Sequence, residues 1–134
     1  MTARNLRIFL VEDHPVLQEV LREFVCQLAE ECRVLPDAAA ALAELEAGTP
    51  DLMLVDLSLP GMDGIELIKS VRRSYPYLPC ANLSGQRSQV YVAKALVAGA
   101  NAHLLKGDPV ESERGIKAML AGNCYLSEEL RERY

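Results

Sequence analysis

The stretch Asp51-Leu52-Met53-Leu54-Val55-Asp56-Leu57-Ser58-Leu59-Pro60-Gly61-Met62-Asp63-Gly64 decides how this chain folds. Its first half is a short, continuous apolar run, which reads as a strand buried on both faces. The run ends on the carboxylate of Asp56, and Pro60-Gly61 and Asp63-Gly64 follow with turn chemistry. Asp56 therefore stands at the C-terminal end of a central strand, where open α/β sheets place their crevice. Asp is depleted in strands. A carboxylate kept there is a candidate nucleophile or metal ligand.

Three further strand ends point at the same crevice. Leu6-Arg7-Ile8-Phe9-Leu10-Val11 runs into Glu12-Asp13-His14-Pro15, an acidic pair with a proline placed to open a helix. Cys80-Ala81-Asn82-Leu83 ends on Ser84-Gly85, and Ala102-His103-Leu104-Leu105 ends on Lys106, ahead of Gly107-Asp108-Pro109. In a parallel sheet these ends share one edge. An acid pair, an acid, a hydroxyl and an amine suit a divalent cation and a phosphoryl group: carboxylates for the hard cation, Asp56 as nucleophile, Ser84 and Lys106 for phosphoryl oxygens.

Strand-like and helix-like segments alternate without a break, the pattern of a parallel α/β sheet. Strands are expected at 6–11, 32–35, 51–57, 79–84 and 102–106. The first helix is expected over 15–30, with Leu17, Leu21, Phe24 and Leu28 on one stripe. The second is capped by Asp37 and stops near Gly48; the third runs from Gly64 to just before Pro76. The fourth spans 87–98, and the fifth opens on Asp108 and Pro109 and runs to Ala121. Gly115 inside that last helix is unfavourable on propensity alone. Ser127-Glu128-Glu129-Leu130 offers a cap for one more turn.

At 134 residues the chain is one domain with room for a core. Half of it is apolar and a quarter charged, which argues against disorder. No run reaches transmembrane length and no signal-peptide pattern opens the chain, so a cytoplasmic location without membrane contact is expected. Cys26, Cys32, Cys80 and Cys124 show neither a C-x-x-C nor a zinc spacing and read as reduced thiols. A net charge of −5 argues against direct nucleic-acid binding.

With these residues in place, the chain resembles a response-regulator receiver domain of the CheY-like kind over nearly its whole length. The acidic pair, the D-x-S-x-P-x-M-D-G turn at 56–64, the hydroxyl after strand four and the lysine after strand five carry the likeness. Val11-Glu12-Asp13-His14-Pro15, Gly99-Ala100-Asn101-Ala102-His103-Leu104-Leu105-Lys106 and Ala121-Gly122-Asn123-Cys124-Tyr125-Leu126-Ser127 look most like the NarL/FixJ, or LuxR-type, branch. The resemblance implies a flavodoxin-like, doubly wound five-stranded parallel sheet in the order 2-1-3-4-5. It implies a receiver over 1–122, with 123–134 a C-terminal tail or the start of a linker to an output domain.

For the site, the resemblance implies that Asp56 accepts a phosphoryl group from a sensor histidine kinase. Mg²⁺, or Mn²⁺, would be held by Asp13, Asp56 and the backbone carbonyl of Ser58, with Glu12 acting through a water. Lys106 and Ser84 would meet phosphoryl oxygens, and Ser58 and Gln86 would tune the lifetime of the acyl phosphate. Ser84 and His103 would form the switch, the His103 ring turning inward as Ser84 engages phosphate. That inward form should be favoured when the ring is neutral. Implied partners are a second receiver in a homodimer and a C-terminal helix-turn-helix DNA-binding domain that regulates transcription. The domain would be a signalling module and not an enzyme. Asp63 is read as serving its turn, and His14 as a capping or surface residue.

Three other readings compete. A receiver-like interaction module without phosphoryl transfer would lack one of the acid, hydroxyl or amine positions, all present here. A phosphatase or mutase with an aspartyl-phosphate intermediate needs a general acid two residues after the nucleophile, where Ser58 stands. A flavin-binding sheet wants a phosphate loop after strand one, where Glu12-Asp13 would repel phosphate.

Overall fold

The computed structural model describes residues 6–27, 29–56, 64–84, 89–105 and 109–126. Five apolar stretches form the strands β1 (Arg7–Val11), β2 (Glu31–Leu35), β3 (Leu52–Asp56), β4 (Cys80–Ser84) and β5 (Ala102–Leu105). Between and after them lie α1 (Pro15–Cys26), α2 (Ala38–Ala47), α3 (Gly64–Ser74), α4 (Gln89–Ala98) and α5 (Pro109–Leu120). A short β6 (Tyr125–Leu126) closes the described chain. All pairings are parallel, in the order β2-β1-β3-β4-β5-β6.

The 2-1-3-4-5 order expected from the sequence stands, but the sheet has a sixth strand where five were expected. Tyr125 and Leu126 pair with Ala102 and His103, inside the stretch read as tail or linker. Two residues show no periodicity, which is why the pattern missed them. The first helix also ends at Cys26 instead of 30. Val25 and Ala29 are buried there, and the amides of Glu30 and Glu31 both donate to the Leu6 carbonyl, which turns the chain into β2. Leu28 and the turn residues 57–63 lie outside the described residues, as do the proposed caps at Asp108 and Ser127.

The strands alternate between two cores. On one face Phe9, Val11, Met53, Val55 and Cys80 pack beneath α2, α3 and α4; on the other Ile8, Leu10, Leu54, Leu83 and Leu104 pack beneath α1 and α5. Burial on both faces explains the unbroken apolar runs. The Asp37 side chain caps α2 by accepting from the Ala40 amide at 2.8 Å, as its position before the Ala-rich run suggested.

At the N-terminal edge of the sheet, the Arg72 guanidinium gathers the ends of α3, α4 and β5. Arg72 donates to the carbonyls of Gly99 (2.8 Å) and Pro76 (2.8 Å) and to Asn101 Oδ1 (2.7 Å). Asn101 Oδ1 also accepts from the Cys80 amide. Gly99 sits at φ +116, and a Cβ there would lie 2.8 Å from Arg72 Cγ, so both backbone and space ask for glycine. Cys80 beside it is fully buried. Burial pushes its thiol up to about 12, with Arg72 pulling the other way, so it stays a protonated core thiol.

Gly115 also finds its reason. A Cβ on it would overlap Leu104 Cδ2 on β5 and lie 3.1 Å from Tyr125 Cδ2. The missing side chain lets α5 press against β5 and leaves room for the Tyr125 ring, whose hydroxyl donates to Glu111 Oε2. Gly115→Ala should gain roughly 1 kcal/mol of helix propensity and lose about 1–3 kcal/mol to overpacking around the fully buried Leu104. Chemical denaturation should show a net loss of stability. A gain would contradict this account of the close approach.

Candidate functional site: an acidic cluster at the strand ends

Parallel register builds the cluster. Val11 pairs with Val55, so Glu12 and Asp56 come one step later at the same level of neighbouring strands. Asp56 itself pairs with Leu83 of β4. Asp13 follows at once, where the chain leaves the sheet for α1. One carboxylate oxygen from each of Glu12, Asp13 and Asp56 lies within 4.8 Å of the other two. Glu12 is fully buried, Asp56 is 3% exposed, and Asp13 faces solvent.

The backbone around Glu12 is held on three sides. Its amide donates to the Leu35 carbonyl, extending the β1–β2 ladder by one bond. Its carbonyl accepts from Gln18 Nε2 at 2.5 Å, and its Oε2 accepts from the His14 amide at 3.3 Å. The His14 carbonyl takes the Gln18 amide, so His14 is the exposed residue at the head of α1, in line with its sequence reading. Buried anions of one sign at such spacing favour a bound cation. An oxygen-only donor set suits a hard divalent ion.

Ser84 ends β4 beside β3, and β5 ends at Leu105, immediately before Lys106. The side chain of Ser84, and Ser58, Gln86 and Lys106 entirely, lie outside the described residues. His103 is placed: its ring is fully buried, already turned into the protein, and pairs through Nδ1 with Asn82 Nδ2. Asn82 was passed over in the sequence, although an amide interrupting the apolar run Cys80-Ala81-Asn82-Leu83 was a readable signal. A shallow groove of about 490 Å³, lined by residues such as Pro50, Asp51, Tyr75 and Tyr77, lies at the opposite end of the sheet and shares none of these residues.

Comparison with known proteins agrees with this geometry. The family model of the response regulator receiver domain matches residues 8–119. The uncharacterized transcriptional regulatory protein YhcZ of Bacillus subtilis is 38% identical over 91% of this chain and 58% of its own length. The DNA-binding transcriptional activator DevR/DosR of Mycobacterium tuberculosis is 31% identical over 90% of this chain and 57% of its own. The crystal structure of a LuxR-family two-component response regulator from Aurantimonas superposes with a TM-score of 0.88 at 30% identity, covering 98% of this chain and 94% of that one. This chain thus spans little more than half the length of these two curated relatives.

Like-charge crowding makes a prediction that needs no ligand. Asp13→Asn removes one of three neighbouring negative charges at an exposed position. The melting temperature in the presence of a chelator should rise. A fall would show that the three carboxylates do not repel one another as placed.

Proposed function

The chain belongs to the response regulator receiver family, and on that premise we propose that Asp56 is its phosphoacceptor. The observation that carries the reading is the three-carboxylate cluster with Asp56 buried at its centre strand. The residues fit Mg²⁺ or Mn²⁺. One carboxylate oxygen from each of the three residues lies within 4.8 Å of the others, an oxygen-only set of the kind a hard divalent ion takes; following the family resemblance, Asp13 and Asp56 would bind directly and Glu12 through a water. The Ser58 carbonyl would complete the protein's share. When bound, the cation offsets charge on the transferring group.

In the reaction, a carboxylate oxygen of Asp56 attacks phosphorus. The P–N bond of a kinase phosphohistidine breaks as the acyl-phosphate O–P bond forms, and the leaving imidazole keeps the electron pair and takes up a proton. Burial of Asp56 keeps bulk water from competing. Lys106 would pair with a phosphoryl oxygen and Ser84 would donate a hydrogen bond to another. Ser58 and Gln86 would govern water access to the product and so its lifetime. The chemistry ends on the protein's own side chain, so the domain acts as a signalling switch and not as an enzyme turning over a substrate.

The output reading is transcription control through a C-terminal helix-turn-helix domain and pairing with a second receiver, in the cytoplasm. Its support is the likeness to transcriptional regulators that run well beyond the matched region. No helix among the described residues is long and apolar enough to cross a membrane.

Intact-mass measurement after incubation with an acyl-phosphate donor and Mg²⁺ tests the reading. Wild type should gain one phosphoryl group and Asp56→Asn none; uptake by Asp56→Asn at the wild-type rate would refute it. Metal titration gives a second check. Asp13→Asn should bind Mg²⁺ more weakly because an anionic ligand is gone. Lys106→Ala should bind it equally or more tightly because a nearby positive charge is gone; much weaker binding would contradict the assigned roles.

A further inference from the structure

Asn82 and His103 are direct partners in the β4–β5 register. Both are fully buried, on the sheet face that α2, α3 and α4 cover. Their side chains bond to one another through Nδ2 and Nδ1. Asn82 Oδ1 is buried with no hydrogen-bond partner among the described residues. Turning the amide over would exchange the roles of Oδ1 and Nδ2 and leave the nitrogen over instead. An unsatisfied buried polar atom destabilises the fold, and an apolar pair of similar shape would remove that cost. The pair is therefore poorly explained as packing.

Its place suggests its use. Asn82 lies opposite Val55, one residue before Asp56 on β3, and two residues before Ser84 on β4. His103 lies three residues before Lys106. The Asn82–His103 bond thus ties together the two strands whose ends carry the hydroxyl and the amine, beside the acceptor carboxylate. We propose that Asn82 is a positioning residue for phosphoryl transfer to Asp56. Through His103 it fixes the spacing of β4 and β5 and so the places of Ser84 and Lys106. This rests on the receiver reading above. Neither side chain is a candidate ligand, so the tie should act on the rate and not on metal binding.

The test compares wild type with Asn82→Leu, which keeps the branched outline of the side chain and removes the bond. Acyl-phosphate uptake should slow by on the order of tenfold, the scale expected when positioned groups shift by a fraction of an ångström. Mg²⁺ affinity, set by carboxylates on other strands, should stay unchanged. An unchanged rate would overturn the proposal. So would a parallel loss of rate, metal affinity and thermal stability, since that marks general packing damage. If Asn82→Leu does not fold, His103→Phe, which removes the same bond from the other strand, decides: uptake should slow by on the order of tenfold with Mg²⁺ affinity unchanged, and an unchanged rate would overturn the proposal. If wild type itself takes up no phosphoryl group, the receiver reading fails and this inference falls with it. Uptake by wild type with no change in Asn82→Leu defeats this inference alone.

Discussion

Crowding of like charge at the end of a buried sheet is the constraint on which the site depends. Glu12, Asp13 and Asp56 would separate if the chain allowed it. Parallel register between β1 and β3 does not allow it, because Val11 and Val55 are locked side by side between two apolar cores. Hydrophobic burial along the strands holds the carboxylates together against their mutual repulsion. On the proposed reading, the same repulsion would favour a bound cation and leave the Asp56 carboxylate held in place for attack on phosphorus. Stability and the proposed function would then be opposed at this edge.

The opposite edge shows how that opposition is sustained. Arg72 gathers carbonyls from the ends of α3 and α4 and, with Asn101, fastens β4 and β5 where they enter the sheet. Gly99 and Gly115 give up side chains so that Arg72 and Leu104 can approach closely. With the strands anchored at their N-terminal ends and along their length, their C-terminal ends can carry charged and polar groups that a free edge would spread apart. The Asn82–His103 pair lies between the two regimes, the polar cross-strand contact inside an otherwise apolar layer.

Much of this was legible in the sequence because it rests on local pattern. Continuous apolar runs marked strands buried on both faces, and acids at their ends marked the crevice; Glu12, Asp13 and Asp56 meet as that logic requires. Asp37 as a cap was legible for the same reason. What escaped reading depends on distant partners. Gly115 is unfavourable in a helix and makes sense only against Leu104 and Tyr125. β6 is two residues whose strand character comes from the exposed edge of β5. The early end of α1 follows from the Leu6 carbonyl capturing two amides. Asn82 left a trace, a polar residue in an apolar strand, but its meaning required knowing that His103 lies directly across from it.

The most direct test of the central claim is to locate the phosphoryl group chemically. Borohydride reduces an aspartyl phosphate to homoserine, leaving a permanent mark at the modified residue. The protein should be treated with an acyl-phosphate donor and Mg²⁺, reduced, digested and sequenced by mass spectrometry. The account predicts homoserine at position 56 and at no other aspartate, and none when Mg²⁺ is withheld. Homoserine at Asp13 or elsewhere, or at 56 to the same extent without the metal, would contradict it.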